Sequence, residues 1–155
     1  MSYNPLQNKG FFRAAALCSK SEQNSFKINN KLLTMGLSKK EAIQVLERLK
    51  KENFIDESRY TESFVRDKFK LNKWGKIKIA YQLRREQISE SLIESYICKI
   101  KQNEYRNTLL ELIMEKNESL KEPDMYKRQA KLFRFAQNRG FESEIIYSVT
   151  EEVLK

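Results

Sequence analysis

The sequence contains no histidine. Ser-His-Asp and Cys-His catalytic arrangements are therefore excluded, and zinc loses its commonest nitrogen ligand. Two cysteines, Cys18 and Cys98, stand far apart with no C-x-x-C. That usage fits a reduced, cytoplasmic protein with no disulfide framework. Both thiols sit among apolar residues of predicted helices and are expected in the core. Only four glycines and two prolines occur, too few turn formers for a β-rich chain. Long apolar runs are also missing. The longest near the N-terminus, Ala14 to Cys18, follows Arg13 and is too short for a membrane span or a signal-peptide core. No glycine-rich phosphate loop and no metal-ligand spacing is present. The chain is expected to have no catalytic residues, no cofactor and no metal, and not to be an enzyme.

What remains is a chain rich in charge and helix formers. Its 155 residues are about one domain's worth, and 40% apolar with 11% aromatic content supports a folded core. Mean hydropathy is -0.70. The net charge is +9, from 30 Lys+Arg against 21 Asp+Glu. Two segments hold the excess. Residues 66–85 carry Arg66, Lys68, Lys70, Lys73, Lys76, Lys78, Arg84 and Arg85 against Asp67 alone. Residues 125–141 carry Lys127, Arg128, Lys131, Arg134 and Arg139 with no acid. Positive charge concentrated in this way points to a polyanion or an acidic protein surface rather than a solubilising coat. Aromatics interleave with the cations: Phe69, Trp74 and Tyr81 in one segment, Tyr126, Phe133, Phe135 and Phe141 in the other. Their helical spacing assigns most of them to the core. Trp74 is expected to be a packing anchor at a turn, with base stacking as the alternative.

Three stretches align around Gly36, Gln87 and Gly140, 51 and 53 residues apart. Eight residues before each anchor stand Ile28, Ile79 and Leu132; four before, Leu32, Leu83 and Ala136. One residue after stand Leu37, Ile88 and Phe141; six after, Ala42, Ile93 and Ile146. The alignment continues with Val45, Tyr96 and Val149, then Leu49, Ile100 and Val153. Spacings of three and four mark amphipathic helices on both sides of each anchor. A period near 50 residues marks a tandem helical array. Gly36 and Gly140 suit the left-handed turn that closes a helix, whereas Gln87 suits it less, so the middle joint is expected to differ. Ser38 and Ser89 are N-cap candidates, and Ser38 with Glu41 makes a capping-box pattern.

The reading is all-α: tandem three-helix repeats with helix-turn-helix-like joints. Nine helices are predicted near 10–20, 24–35, 39–51, 57–71, 75–86, 90–101, 104–117, 125–138 and 142–154. Residues 1–9 are expected to be a loose end. Repeats are expected at 10–52, 53–102 and 103–155 in one continuous array. Asp56 should cap the fourth helix, Arg59 should pair with a carboxylate, and Tyr60 and Phe64 should face the core.

The run from Glu52 to Ser89 resembles the central signature of the RecX family, regulators of the bacterial RecA recombinase. The matching residues are Phe54-Ile55, Asp56, Glu57, Arg59, Tyr60, Phe64-Val65, the basic stretch Lys68 to Lys73, Gly75, Ile79, Leu83-Arg84 and Ile88-Ser89. Arg139-Gly140-Phe141 is similar to the family's final repeat. Gln87 stands where the family often has glycine, and the N-terminal SKSEQNSFKINNKL follows the family pattern only loosely. The resemblance implies an elongated, curved, all-α regulator that is not an enzyme. It implies binding in the groove of the RecA filament on single-stranded DNA. It further implies limited filament growth, with ATPase, strand exchange and co-protease activity reduced, and effects on recombination, DNA repair and the SOS response.

Candidate contacts to RecA or DNA are Arg66, Lys68, Lys70, Lys73, Lys76, Lys78, Arg84, Arg85, Lys131, Arg134 and Arg139. Arg66, Lys70 and Lys73, at spacings of four and three, fall on one face of the fourth helix. Arg84 and Arg85 either contact a partner or neutralise their own helix end. A monomer is the default expectation, with no membrane partner. The alternative is a helical DNA-binding module acting without RecA. The second helices after Gln87 and Gly140 begin with acidic residues, which weighs against ordinary recognition-helix readout.

Overall fold

The computed structural model describes residues 2–155. Among these residues it contains nine α-helices and no strand. They are α1 (Pro5–Lys20), α2 (Ser25–Thr34), α3 (Lys39–Lys51), α4 (Glu57–Lys70), α5 (Lys76–Arg85), α6 (Glu90–Ile97), α7 (Gln102–Ser119), α8 (Met125–Asn138) and α9 (Ser143–Val153).

Local chemistry accounts for the helix boundaries. Ser38 and Glu41 close the expected capping box on α3. Asp56 accepts the Arg59 N–H at 3.0 Å, and Ser89 accepts the Leu92 N–H at 3.3 Å. The three anchors share one backbone state: φ is 104° at Gly36, 61° at Gln87 and 96° at Gly140. The middle joint thus keeps the left-handed turn despite its side chain. Around Gly36 the Gly36 N–H donates to Leu33 O and the Leu37 N–H to Leu32 O, a Schellman closure. Gly140 and Phe141 repeat it onto Gln137 O and Ala136 O.

Two expectations are corrected here. Residues 4–9 are not loose, because α1 opens at Pro5 with Asn4 as N-cap and Gln7 completing a capping box. Buried Gln7 also donates to Gln44 Oε1 at 2.7 Å. The determinants are polar, so apolar periodicity missed them. Cys98 is exposed, not a core thiol. Helix α6 stops at Ile97 rather than 101, leaving Cys98 in the following turn with its thiol donating to Ser95 O. Cys18 is half-buried, and burial raises its thiol pKa.

The chain forms two compact units. One comprises the chain through Phe64 with Arg84–Leu92; the other comprises Val65–Leu83 and Ile93–Lys155. The first encloses Phe11, Ile28, Leu32, Ala42, Val45 and Leu49 between α1, α2 and α3. Its polar centre is Glu86, only 3% exposed. The Glu86 carboxylate accepts from Tyr60 Oη and from Asn24 Nδ2, with Lys27 Nζ at 3.5 Å. Burial and this bond raise the Tyr60 phenol well above its ordinary pKa, keeping it a donor. Arg59 meets the Glu22 carboxylate at 3.1 Å and also donates to Asn53 O at 2.9 Å.

The second unit packs α7, α8 and α9 around Tyr105, Leu109, Ile113, Leu132, Phe141 and Ile146. The four repeat columns nearest the anchors are buried in all three copies. The outer columns are weaker in the middle copy, where Tyr96 and Ile100 are only half-buried.

Candidate polyanion-binding surface

The chemistry of the second unit starts at the α4–α5 loop. After Lys70 the helix closes through Lys73, which takes φ 56°, and the Trp74 N–H donates to Lys68 O at 2.9 Å. Lys73 therefore lies in a left-handed turn, not on a continued face of α4 with Arg66 and Lys70.

Gly75 then docks on the α8–α9 joint. Its N–H donates to Arg139 O at 2.7 Å, and the Ile77 N–H donates to Gly140 O at 3.0 Å. A Cβ at Gly75 would strike the Gly140 carbonyl group and the Phe141 nitrogen; one at Gly140 would strike Lys78. The two glycines permit a backbone approach that no other residue pair allows.

This contact gathers the cations. Lys68 Nζ lies 4.7 Å and Lys78 Nζ 4.4 Å from the centroid of the half-buried Trp74 ring. The ring attracts each ammonium, but the two charges repel each other, so an approaching anion would relieve a local excess of positive charge. Arg139 donates to Asn72 O at 3.1 Å, and its guanidinium sits 5.4 Å from the Phe135 ring centroid. Lys76 Nζ lies 4.5 Å from the Tyr105 ring centroid. Its N–H donates to Tyr105 Oη, which in turn donates to Glu142. Burial and the Glu142 bond raise the Tyr105 phenol above its ordinary pKa. The Lys70 and Lys73 side chains make no hydrogen bond or ion pair among the described residues.

The remaining candidates lie elsewhere. Arg66 is exposed and faces Asp67 at 3.4 Å. Arg84 and Arg85 belong to the first unit, where Arg84 engages both carboxylate oxygens of Glu90 and holds that carboxyl below its ordinary pKa. Arg85 is exposed. Lys131 pairs with Glu122 at 2.8 Å and lowers the pKa of that carboxyl. Arg134 lines a cavity between α8 and α9. Sequence reasoning singled out none of Asn72, Tyr105 and Glu142, which fix this surface. Their roles depend on contacts between segments distant in the chain, and no local pattern marks them.

Among the described residues no helix is long and apolar enough to cross a membrane, and no group of three or more His, Cys, Asp or Glu could hold a metal ion.

Comparison with known proteins gives a consistent result. Residues 56–97 match the family model for the second three-helix domain of RecX, and residues 103–150 match that for the third. A protein from Chlorobium phaeobacteroides named Regulatory protein RecX is 31% identical over 147 residues, covering 95% of each chain. A Clostridium botulinum protein of the same name is 32% identical over 129 residues, 82% of this chain and 60% of the relative. The chain thus spans about 60% of the length of such clostridial relatives. The fold is similar to the crystal structure of RecX from Lactobacillus salivarius, with a TM-score of 0.82, 18% identity and 96% coverage of both chains. It is also similar to a second crystal structure, of regulatory protein RecX, with a TM-score of 0.84, 20% identity, and coverage of 94% of this chain and 72% of the other.

Proposed function

Because the chain belongs to the RecX family, we propose that it binds the RecA recombinase filament on single-stranded DNA and limits its growth. ATP hydrolysis, strand exchange and co-protease activity of RecA then fall, with consequences for recombination, DNA repair and the SOS response. The protein acts by binding, as a cytoplasmic regulator. The observation that carries the reading is the Lys68–Trp74–Lys78 stack held at the Gly75–Gly140 contact. It concentrates cations on a braced backbone, which suits phosphate or the carboxylates of an acidic protein surface. Lys70, Lys73, Lys76 and Arg139 extend this surface, and Arg66, Arg84, Arg85, Lys131 and Arg134 contribute further contacts.

The test is RecA-dependent ATP hydrolysis on single-stranded DNA with this protein at substoichiometric amounts. Progressive loss of hydrolysis is expected, and Lys68→Ala with Lys78→Ala should weaken it. For each phosphate contact removed, the slope of log affinity against log salt should fall by about 0.7. Unchanged hydrolysis, alongside salt-sensitive binding to bare DNA, would favour the module acting without RecA.

A further inference from the structure

The cavity between α8 and α9 has a volume of about 660 Å³ and an anatomy the basic surface does not use. Its walls include Tyr126, Phe133, Arg134, Tyr147, Thr150 and Glu151. The Phe133 and Tyr147 rings pair at 4.8 Å and 30°. Tyr126 is nevertheless 81% exposed and Tyr147 64% exposed, so flat aromatic surface faces water at the rim. The Arg134 side chain makes no hydrogen bond or ion pair among the described residues.

We propose that this cavity seats an unpaired base of single-stranded nucleic acid. The base stacks on the exposed faces of Tyr126 and Tyr147, and Arg134 meets the adjoining phosphate. Aromatic faces beside a guanidinium are the usual components of a stacking site, and they tolerate any base because every base has a π-face. Glu151 refines the ligand. Its carboxylate would oppose a phosphate placed deep in the cavity, but it accepts from an exocyclic amino group, which favours cytosine over thymine. It also opposes the carboxylates of an acidic peptide. Duplex DNA is excluded, since its bases are already paired and stacked.

The site is tested with the full chain and no recombinase present, so its failure leaves the filament reading intact. Fluorescence anisotropy would compare a labelled oligo-dC with an abasic chain of equal length. The oligo-dC should bind more tightly. Tyr126→Ala should weaken oligo-dC binding about 5- to 30-fold and leave the abasic chain unaffected. Arg134→Ala should weaken both. Equal affinity for the abasic chain would overturn the proposal. So would parent affinity in Tyr126→Ala, which would leave the cavity as a seat for a protein side chain.

Discussion

Gly75 and Gly140 meet backbone to backbone, the Gly75 N–H on Arg139 O and the Gly140 carbonyl on Ile77 N–H. The contact joins the loop after α4 to the joint before α9. It sets where Trp74, Lys78 and Arg139 stand, so the geometry of the basic surface depends on two residues that have no side chain.

Gly75→Ala should therefore lower stability by about 1–3 kcal/mol, as an added methyl in a packed contact usually does. The neighbours it would strike are backbone atoms, which cannot rotate away. Gly140→Ala should cost more, because it adds left-handed strain at φ 96° to its clash with Lys78. Urea unfolding measures both. The same variants should reduce polyanion binding even under conditions where they remain folded.

Gln87 points the opposite way. It holds φ 61° with a full side chain, in the state the two glycine anchors adopt freely. Gln87→Gly should stabilise the protein by about 0.5–1 kcal/mol, the relief of strain being partly offset by glycine's greater unfolded-state entropy. A rise in the urea midpoint with unchanged slope is the expected result.

The buried carboxylate of Glu86 is the acceptor for Tyr60 and Asn24. Glu86→Ala leaves two buried donors unpaired and should cost about 2–4 kcal/mol. Tyr60→Phe removes one donor and leaves Glu86 with Asn24 and Lys27, so its cost should be smaller. Comparing the two unfolding curves separates the carboxylate from its partners.

Stability should fall in acid. The Glu41, Glu90 and Glu122 carboxyls all lie below their ordinary pKa of 4.5, through Ser38, Arg84 and Lys131 respectively. A carboxyl depressed in the folded state contributes fully above its unfolded pKa. That contribution fades as pH drops through the unfolded and then the folded value. Melting temperature should thus hold near neutrality and decline below about pH 4.5. Glu90→Gln should flatten part of that decline.

The three-anchor repeat and its apolar columns were legible because helix packing imposes a period of three and four on the chain. Ile28, Ile79 and Leu132 are fully buried as that period requires. The start of α1 was not legible, since Asn4, Pro5 and Gln7 hold it by capping chemistry rather than apolar spacing. The end of α6 was missed for a related reason. Ile100 continues the apolar pattern, yet the helix stops at Ile97 and exposes Cys98.

Composition by itself determined that the chain is helical, basic and without histidine chemistry, and periodicity determined which residues enter the core. Both are local properties, carried by residue type and by spacings within a turn or two of helix. Only the tertiary structure decided which cations stand together. Lys68 and Lys78 meet one tryptophan ring, Arg139 reaches Asn72, and Lys73 leaves the α4 face. Those outcomes rest on the approach of Gly75 to Gly140 and on a left-handed turn at Lys73. The first joins segments distant in sequence, and the second is a backbone state that lysine's residue type does not announce.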